Sequence, residues 1–112
     1  MMGQDNLESF YSLDIRVGEI LDVQDFPQAV NPSYILHINF GDVIGIKKTS
    51  AQVTNYNKES LIGRKCIAII NLGERQIGPI MSQCLILGSI SDDLKVKLLS
   101  PEETSSIGDK IA

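Results

Sequence analysis

The chain has 112 residues and a mass of 12.3 kDa, enough for one domain that buries roughly two-thirds of its unfolded surface without staples. Hydrophobic residues make up 43% and charged residues 21%, a globular balance that excludes a disordered tail, a collagen-like repeat or a coiled coil. The net charge of −4 argues, taken alone, against a polyanionic partner, but its distribution does not: residues 1–42 carry one basic residue against seven acids, 43–91 six against two, and 92–112 three against five. The basic middle segment is a candidate anion-facing patch.

Ile and Val together supply 22 residues, Ala four and Trp none, a mix that favours strands over helices. No run of about 18 uncharged apolar residues occurs, and Met1-Met2-Gly3-Gln4-Asp5 has neither a basic n-region nor an apolar h-region, so a cytoplasmic protein without membrane association is expected. Cys66 and Cys84 sit inside apolar runs, too few and too far apart for a zinc site, and read as reduced core residues. Neither metal nor cofactor is expected.

In chain order, Asp5 to Ser12 places Leu7, Phe10 and Tyr11 at helical spacing, with Asp5 as cap and Glu8 three residues on. Ile15, Val17, Leu21 and Val23 alternate as a first strand, with Gly18 where a curved strand would bulge. Phe26 to Pro32, with two prolines and an Asn-Pro step, is a loop. Tyr34, Leu36, Ile38 and Phe40 line one face of a second strand, Gly41-Asp42 turns it, and Ile44 to Ser50 forms the third. Ala51 to Leu61 reads as an irregular connection with a short helix. Arg64 to Leu72 is the fourth and most apolar strand, Gly73 to Ser82 a loop, Gln83 to Ser89 the fifth strand, and Lys95 to Leu99 a last short one before the tail. No repeat or linker divides residues 1–112, which form a single domain.

Five curved strands with a short helix between the third and fourth predict an all-β, five-stranded Greek-key barrel of the oligonucleotide/oligosaccharide-binding (OB) type, with a short N-terminal helix and a C-terminal extension. An SH3-like barrel and a six-stranded sandwich compete with it. The helix stripe, and Ile107 and Ile111 in the tail, exceed what so small a barrel covers, so a homodimer is expected; alternatively both ends pack on their own barrel.

Catalysis finds little support. His37 is the sole histidine and alternates with apolar neighbours, pointing away from the core as a solvated or ligand-adjacent side chain. Gly41 to Gly45 and Gly73 to Gly78 both fail the phosphate-loop pattern. In an OB barrel, strands two and three and the loops after strands one and four make the binding face; here these hold Asn31, His37, Lys47, Lys48, Ser50, Asn71, Arg75, Gln76 and Ser82. Cations suit phosphates, and amides and hydroxyls suit phosphate oxygens, sugars and base edges. Lys47 and Lys48 must face opposite sides, so one of them serves the groove. With only six aromatic rings, the chain is a poor generic single-strand binder, and recognition of folded RNA by shape and backbone fits better.

Leu13-Asp14-Ile15-Arg16-Val17-Gly18, Asn31-Pro32-Ser33-Tyr34, Gly45-Ile46-Lys47-Lys48-Thr49-Ser50-Ala51-Gln52, Leu61-Ile62-Gly63-Arg64 and Ser82 ahead of Leu85-Ile86-Leu87-Gly88 resemble, in order, the tRNA-binding domain superfamily, and most closely its CsaA group. The resemblance runs from about Leu7 to the C-terminus. It implies a non-catalytic OB-fold homodimer that binds tRNA by structure, and alternatively an export-related chaperone that takes extended hydrophobic segments of unfolded or signal-bearing polypeptides, near Ile77, Ile80 and Met81. It carries RNA-binding roles onto Lys48, Ser50, Gln52, Asn71, Arg75, Gln76 and Ser82, with Lys47 beside them. The chain departs from the family pattern at Leu72, usually Phe, and at Met81-Ser82-Gln83, usually Lys-Ser-Glu. The missing lysine lowers the positive charge beside the groove, and Gln83 in place of an acid partly offsets that.

Overall fold

Residues 3–112 are described in the computed structural model, where helix α1 (Gln4–Ser12) leads into β1 (Ile15–Asp25). β2 (Tyr34–Asn39), β3 (Ile46–Ala51), the single turn α2 (Lys58–Leu61) and β4 (Lys65–Ile69) follow. Then come a hairpin of β5 (Arg75–Ile77) and β6 (Ile80–Ser82), the two-residue β7 (Leu85–Ile86), and a ribbon of β8 (Gly88–Ile90) and β9 (Val96–Leu98). The main sheet is antiparallel in the order β3-β2-β1-β4-β7 and curls into a nearly closed five-stranded barrel. Among the described residues no helix is long and apolar enough to cross a membrane.

β1 organises the barrel because two neighbours share it. Ile15–Glu19 pairs with β4, and Glu19–Asp25 pairs with β2. The strand bends between these halves, where the register slips between Ile20 and Asp22 so that Leu21 is the extra residue. The bulge therefore falls at Leu21 and not at Gly18. Gly18 meets a different need: a Cβ built there would lie 2.5 Å from Ile38 Cγ2 and 2.8 Å from the Phe40 ring. A bulge needs an unpaired residue, which any side chain can supply when it points to solvent, whereas this close approach needs the absence of one.

The inward rows of β1 to β4 give a core of Ile20, Leu36, Ile38, Phe40, Cys66 and Ala68. Leu61 of α2, fully buried, joins it. Both thiols are buried and free, and burial pushes each up to about 12, so they stay protonated at neutral pH.

Other local expectations are corrected by tertiary contacts. The helix begins one residue early with Gly3 as N-cap and no side-chain cap, which leaves Asp5 in the first turn, favourable to the helix dipole. The expected loop 73–82 is a β-hairpin whose strands of three residues are too short to show alternation. The expected fifth strand breaks after Ile86, because β8 leaves the barrel to pair with β9; Gly88 sits where a Cβ would lie 2.7 Å from Lys97 O.

The tail stays on its own barrel. Where β2 has diverged from β1, residues 108–111 take the vacant edge: Val17 N donates to Asp109 O (2.9 Å), Gly108 N to Val17 O (2.8 Å) and Ile111 N to Ile15 O (2.8 Å). Ile107 and Ile111 are half-buried there. Helix α1 differs, since none of its residues is buried and Leu7, Phe10 and Tyr11 face solvent.

Gly18→Ala is expected to destabilise the barrel by about 1–3 kcal/mol, since neither Ile38 nor Phe40 has room to retreat within the packed core. Urea denaturation of the two proteins measures this, and an unchanged midpoint would show that the core absorbs a methyl group here.

Candidate nucleic-acid interface

The barrel closes at the free edge of β3, and side chains do much of the closing. Gln83 N donates to Lys48 O (2.8 Å), as a neighbouring strand would. The return bond is made by a side chain: Lys48 N donates to Gln83 Oε1 (3.0 Å). One pleat further, Ser50 N donates to Ser82 Oγ (3.0 Å), and between them Thr49 Oγ1 donates to Cys84 O (2.8 Å). An amide and a hydroxyl thus stand in for backbone carbonyls at positions that would otherwise leave β3 donors unpaired. The Gln83 Nε2 in turn donates to Glu74 Oε2 (3.2 Å).

This seam fixes which β3 residues face outward. Thr49 and Ala51 are buried, so Lys47 shares their inward row while Lys48, Ser50 and, just past the strand, Gln52 share the outward row. Two walls rise beside that row, the β1–β2 loop at 26–33 and the β5–β6 hairpin. A cavity of about 60 Å³ lies among Thr49, Ser50, Arg75, Ile77, Ser82 and Leu85. A second, of about 230 Å³, lies among Gln28, Val30, Asn31, Ser50, Gln52 and Ile77. Both include Ser50 and Ile77, so together they form one groove with a waist. At the hairpin tip Gly78 adopts φ +55°, and a Cβ there would come 3.4 Å from Phe26 Cζ, so the tip lies close to the other wall.

The sequence-expected residues fall into three groups. Ser50, Gln52, Arg75 and Ser82 line the groove. Lys48 belongs to the same outward row, and Gln76 lies on the hairpin with its Nε2 donating to Gly78 O (2.6 Å). Lys47, half-buried on the inward row, lies close enough to Cys84 for its charge to act on that thiol. Asn71 lines neither cavity: its Oδ1 accepts from Asp14 N (2.7 Å) and its Nδ2 donates to Ser12 O (2.8 Å), clasping the α1–β1 junction to the end of β4.

The six cations of the middle segment also divide. Lys48 and Arg75 stand at the groove, with Lys47 on the other face of β3. Lys58 pairs with Asp25 (2.8 Å), Arg64 covers the Tyr56 ring, and the Lys65 ammonium donates to Glu103 O and Ser105 O, both at 2.6 Å. His37 points outward between Asp22 and Lys48 in the cross-strand register, its Nδ1 3.6 Å from Asp22 Oδ2.

Sequence reasoning missed the part played by Gln83 and Gln28, whereas Ile77, expected in an apolar peptide cavity, does line the groove. A polar amide just before the apolar run at Cys84 was the available signal for Gln83. Ile77 comes to the groove because the hairpin folds over β3.

Ser82→Ala is expected to cost about 1–3 kcal/mol, because it leaves the Ser50 amide without an acceptor in a seam where Ser82 is only 7% exposed. Hydrogen exchange at Ser50, read by NMR, should speed up first; unchanged protection would mean that another group or water takes over.

The model of the family described as "Putative tRNA binding domain" matches residues 15–110. A methionine–tRNA ligase of Nanoarchaeum equitans is 37% identical over 107 residues, which is 91% of this chain and 13% of that enzyme. A methionine–tRNA ligase of Thermococcus onnurineus is 35% identical over 109 residues, 93% of this chain and 14% of the enzyme. The chain thus spans only a small part of these curated relatives. The crystal structure of the CsaA chaperone protein from Picrophilus torridus superimposes with a TM-score of 0.92 at 47% identity, and that of CsaA from Bacillus anthracis with 0.91 at 35%, each covering 100% of both chains. The barrel with its helix and extension, read from the sequence as an OB fold, is the fold of these structures, and the chain belongs to the tRNA-binding domain family.

Proposed function

We propose that this protein binds tRNA as a single non-catalytic unit, holding the folded RNA by its phosphates and backbone. The observation that carries this reading is the convergence, on one groove, of Ser50 and Gln52 from the outward row of β3 with Arg75 from the facing hairpin, with Lys48 on the same outward row and Gln76 next to Arg75 on the hairpin. Lys48 and Arg75 supply charge; Ser50, Gln52 and Gln76 supply hydrogen-bonding groups for phosphate and ribose. Ser82 and Asn71 serve by holding backbone in place, and Lys47 adds charge from the opposite face of the strand.

The groove also lacks stacking platforms. Among its lining residues there is no aromatic ring, whereas Phe26 and Phe40 are buried and the Tyr34 and Tyr56 hydroxyls are engaged with the backbone. That composition favours an RNA read by shape over a single strand read by its bases. The stretch matched in the methionine–tRNA ligases is 13–14% of each enzyme, which supports a binding role for this unit without chemistry of its own. A tRNA partner suits a protein that works in the cytoplasm.

The exposed stripe of α1 supports a homodimer, since Leu7, Phe10 and Tyr11 have no cover on their own barrel. Two copies would double the groove and raise avidity without new contacts. A second reading, capture of extended apolar polypeptide, is favoured by Ile77 in the groove and by Val30, fully exposed on its rim, and it suits the chaperone description of the CsaA structures.

Arg75→Ala should weaken tRNA binding severalfold, lower the slope of log K against log salt by about one, and leave the melting temperature nearly unchanged, because the Arg75 side chain is exposed and has no ion pair among the described residues. Filter binding between low and high salt tests this, and a protein that ignores tRNA at low salt yet holds an extended apolar peptide as salt rises would favour the polypeptide reading. Sedimentation should give about twice 12.3 kDa; a monomer at micromolar concentration would remove the dimer.

A further inference from the structure

Away from the groove, Arg64, like Lys65, Lys95 and Lys110, forms no ion pair among the described residues, and it is the one arginine of these four. Arg16 pairs with Asp14 (2.6 Å), Lys58 with Asp25 (2.8 Å) and Lys97 with Asp93 (3.6 Å), whereas among the described residues no carboxylate lies within 4.0 Å of Arg64. Arg64 is half-buried, and its Nη1 is sealed from solvent without any acceptor. The guanidinium carbon stands 5.0 Å from the centroid of the Tyr56 ring. That ring is fixed in turn, because Leu98 N donates to the Tyr56 hydroxyl (3.1 Å) and Tyr56 N to Val53 O (3.0 Å). Burial works to raise the Tyr56 hydroxyl, but the Leu98 amide and the hydrogen bond and charge of Arg64 outweigh it and hold it below its ordinary value.

Arg64 also lines a cleft of about 490 Å³ between the start of β4 and the tail, together with Gly63, Lys65, Ser100, Pro101 and Glu103. A planar, stacked and pre-oriented guanidinium that has lost part of its hydration, and has found no counter-ion, is the usual preparation for an oxyanion. Lys65 stands next to it with two ammonium protons used on the Glu103 and Ser105 carbonyls and a third available. The Glu103 carboxylate on the opposite wall reduces the net charge of the lining to +1, which matches the single negative charge of a phosphodiester better than a phosphate dianion.

We propose that this cleft is a second phosphate site, distinct from the groove, in which Arg64 contacts a phosphodiester with Lys65 and Ser100 beside it. As an RNA contact the site rests on the tRNA reading above; as a phosphodiester site it does not. It would engage a backbone phosphate remote from those held at Lys48 and Arg75, so that the RNA is gripped at two separated places on each barrel.

The test uses the whole protein and two substitutions. Arg64→Met keeps the bulk over Tyr56 and removes the charge; Arg64→Lys keeps the charge and removes the planar fork. Thermal melts with dimethyl phosphate, against chloride at equal ionic strength, should show a rise of about 2–4 °C for the wild type, less for Arg64→Lys and none for Arg64→Met. In tRNA binding Arg64→Met should lose about threefold to tenfold and lower the salt slope by about one, with Arg64→Lys between. A wild type that ignores tRNA yet shows the Arg64-dependent melt shift would sink the RNA reading and leave the phosphodiester site standing. The site itself is overturned by dimethyl phosphate giving no shift that depends on Arg64, or by acetate giving an equal one.

Discussion

An edge strand of a curled sheet must find partners for every second amide, and in this barrel the partner of β3 is only partly a strand. Gln83 supplies one backbone donor and one side-chain acceptor to Lys48, Ser82 supplies a hydroxyl to Ser50, and Thr49 reaches Cys84 O. With these bonds the sheet has no long open edge on the β3 side, so the isoleucine-rich strands do not present a template to other chains. The same bonds set the groove, since they decide that Lys48, Ser50 and Gln52 face out and bring the β5–β6 hairpin against them. Fold and site therefore share one set of contacts, and polar residues that look available for ligand, such as Ser82, are already engaged.

β1 carries the complementary burden. It is long because it serves β4 with one half and β2 with the other, and the bulge at Leu21 allows it to turn between them. Gly18 lets β2 pass close over its first half, and the tail fills the edge that β2 leaves free. Three different devices, an extra residue, a missing side chain and a returning segment, thus solve successive problems along eleven residues.

Much of this was legible. The period-two alternation of β1 and β2 follows directly from one buried face, and it located both strands; the paired prolines located the loop between them. What escaped were features that depend on contacts distant in sequence. Gly18 marked a special position, but whether a glycine means a bulge or a close approach is settled by what lies across from it, here Ile38 and Phe40. The hairpin at 75–82 has three-residue strands, below the length at which alternation carries information. Asn71 read as a ligand-facing amide because nothing local reveals that Ser12 and Asp14 are folded against it. Lys58 and Lys65 added to the positive charge of the middle segment in sequence, while in space they are occupied by Asp25 and by tail carbonyls.

The closeness of Gly78 to the Phe26 ring has a wider meaning. Phe26 is itself buried, so the hairpin tip at Gly78 lies beside a ring anchored in the interior, with little room there for a side chain. A channel so bounded closes little around what enters and loses little conformational freedom when it does. Under the function proposed above, a partner would arrive already in a complementary form, as a structured nucleic acid does.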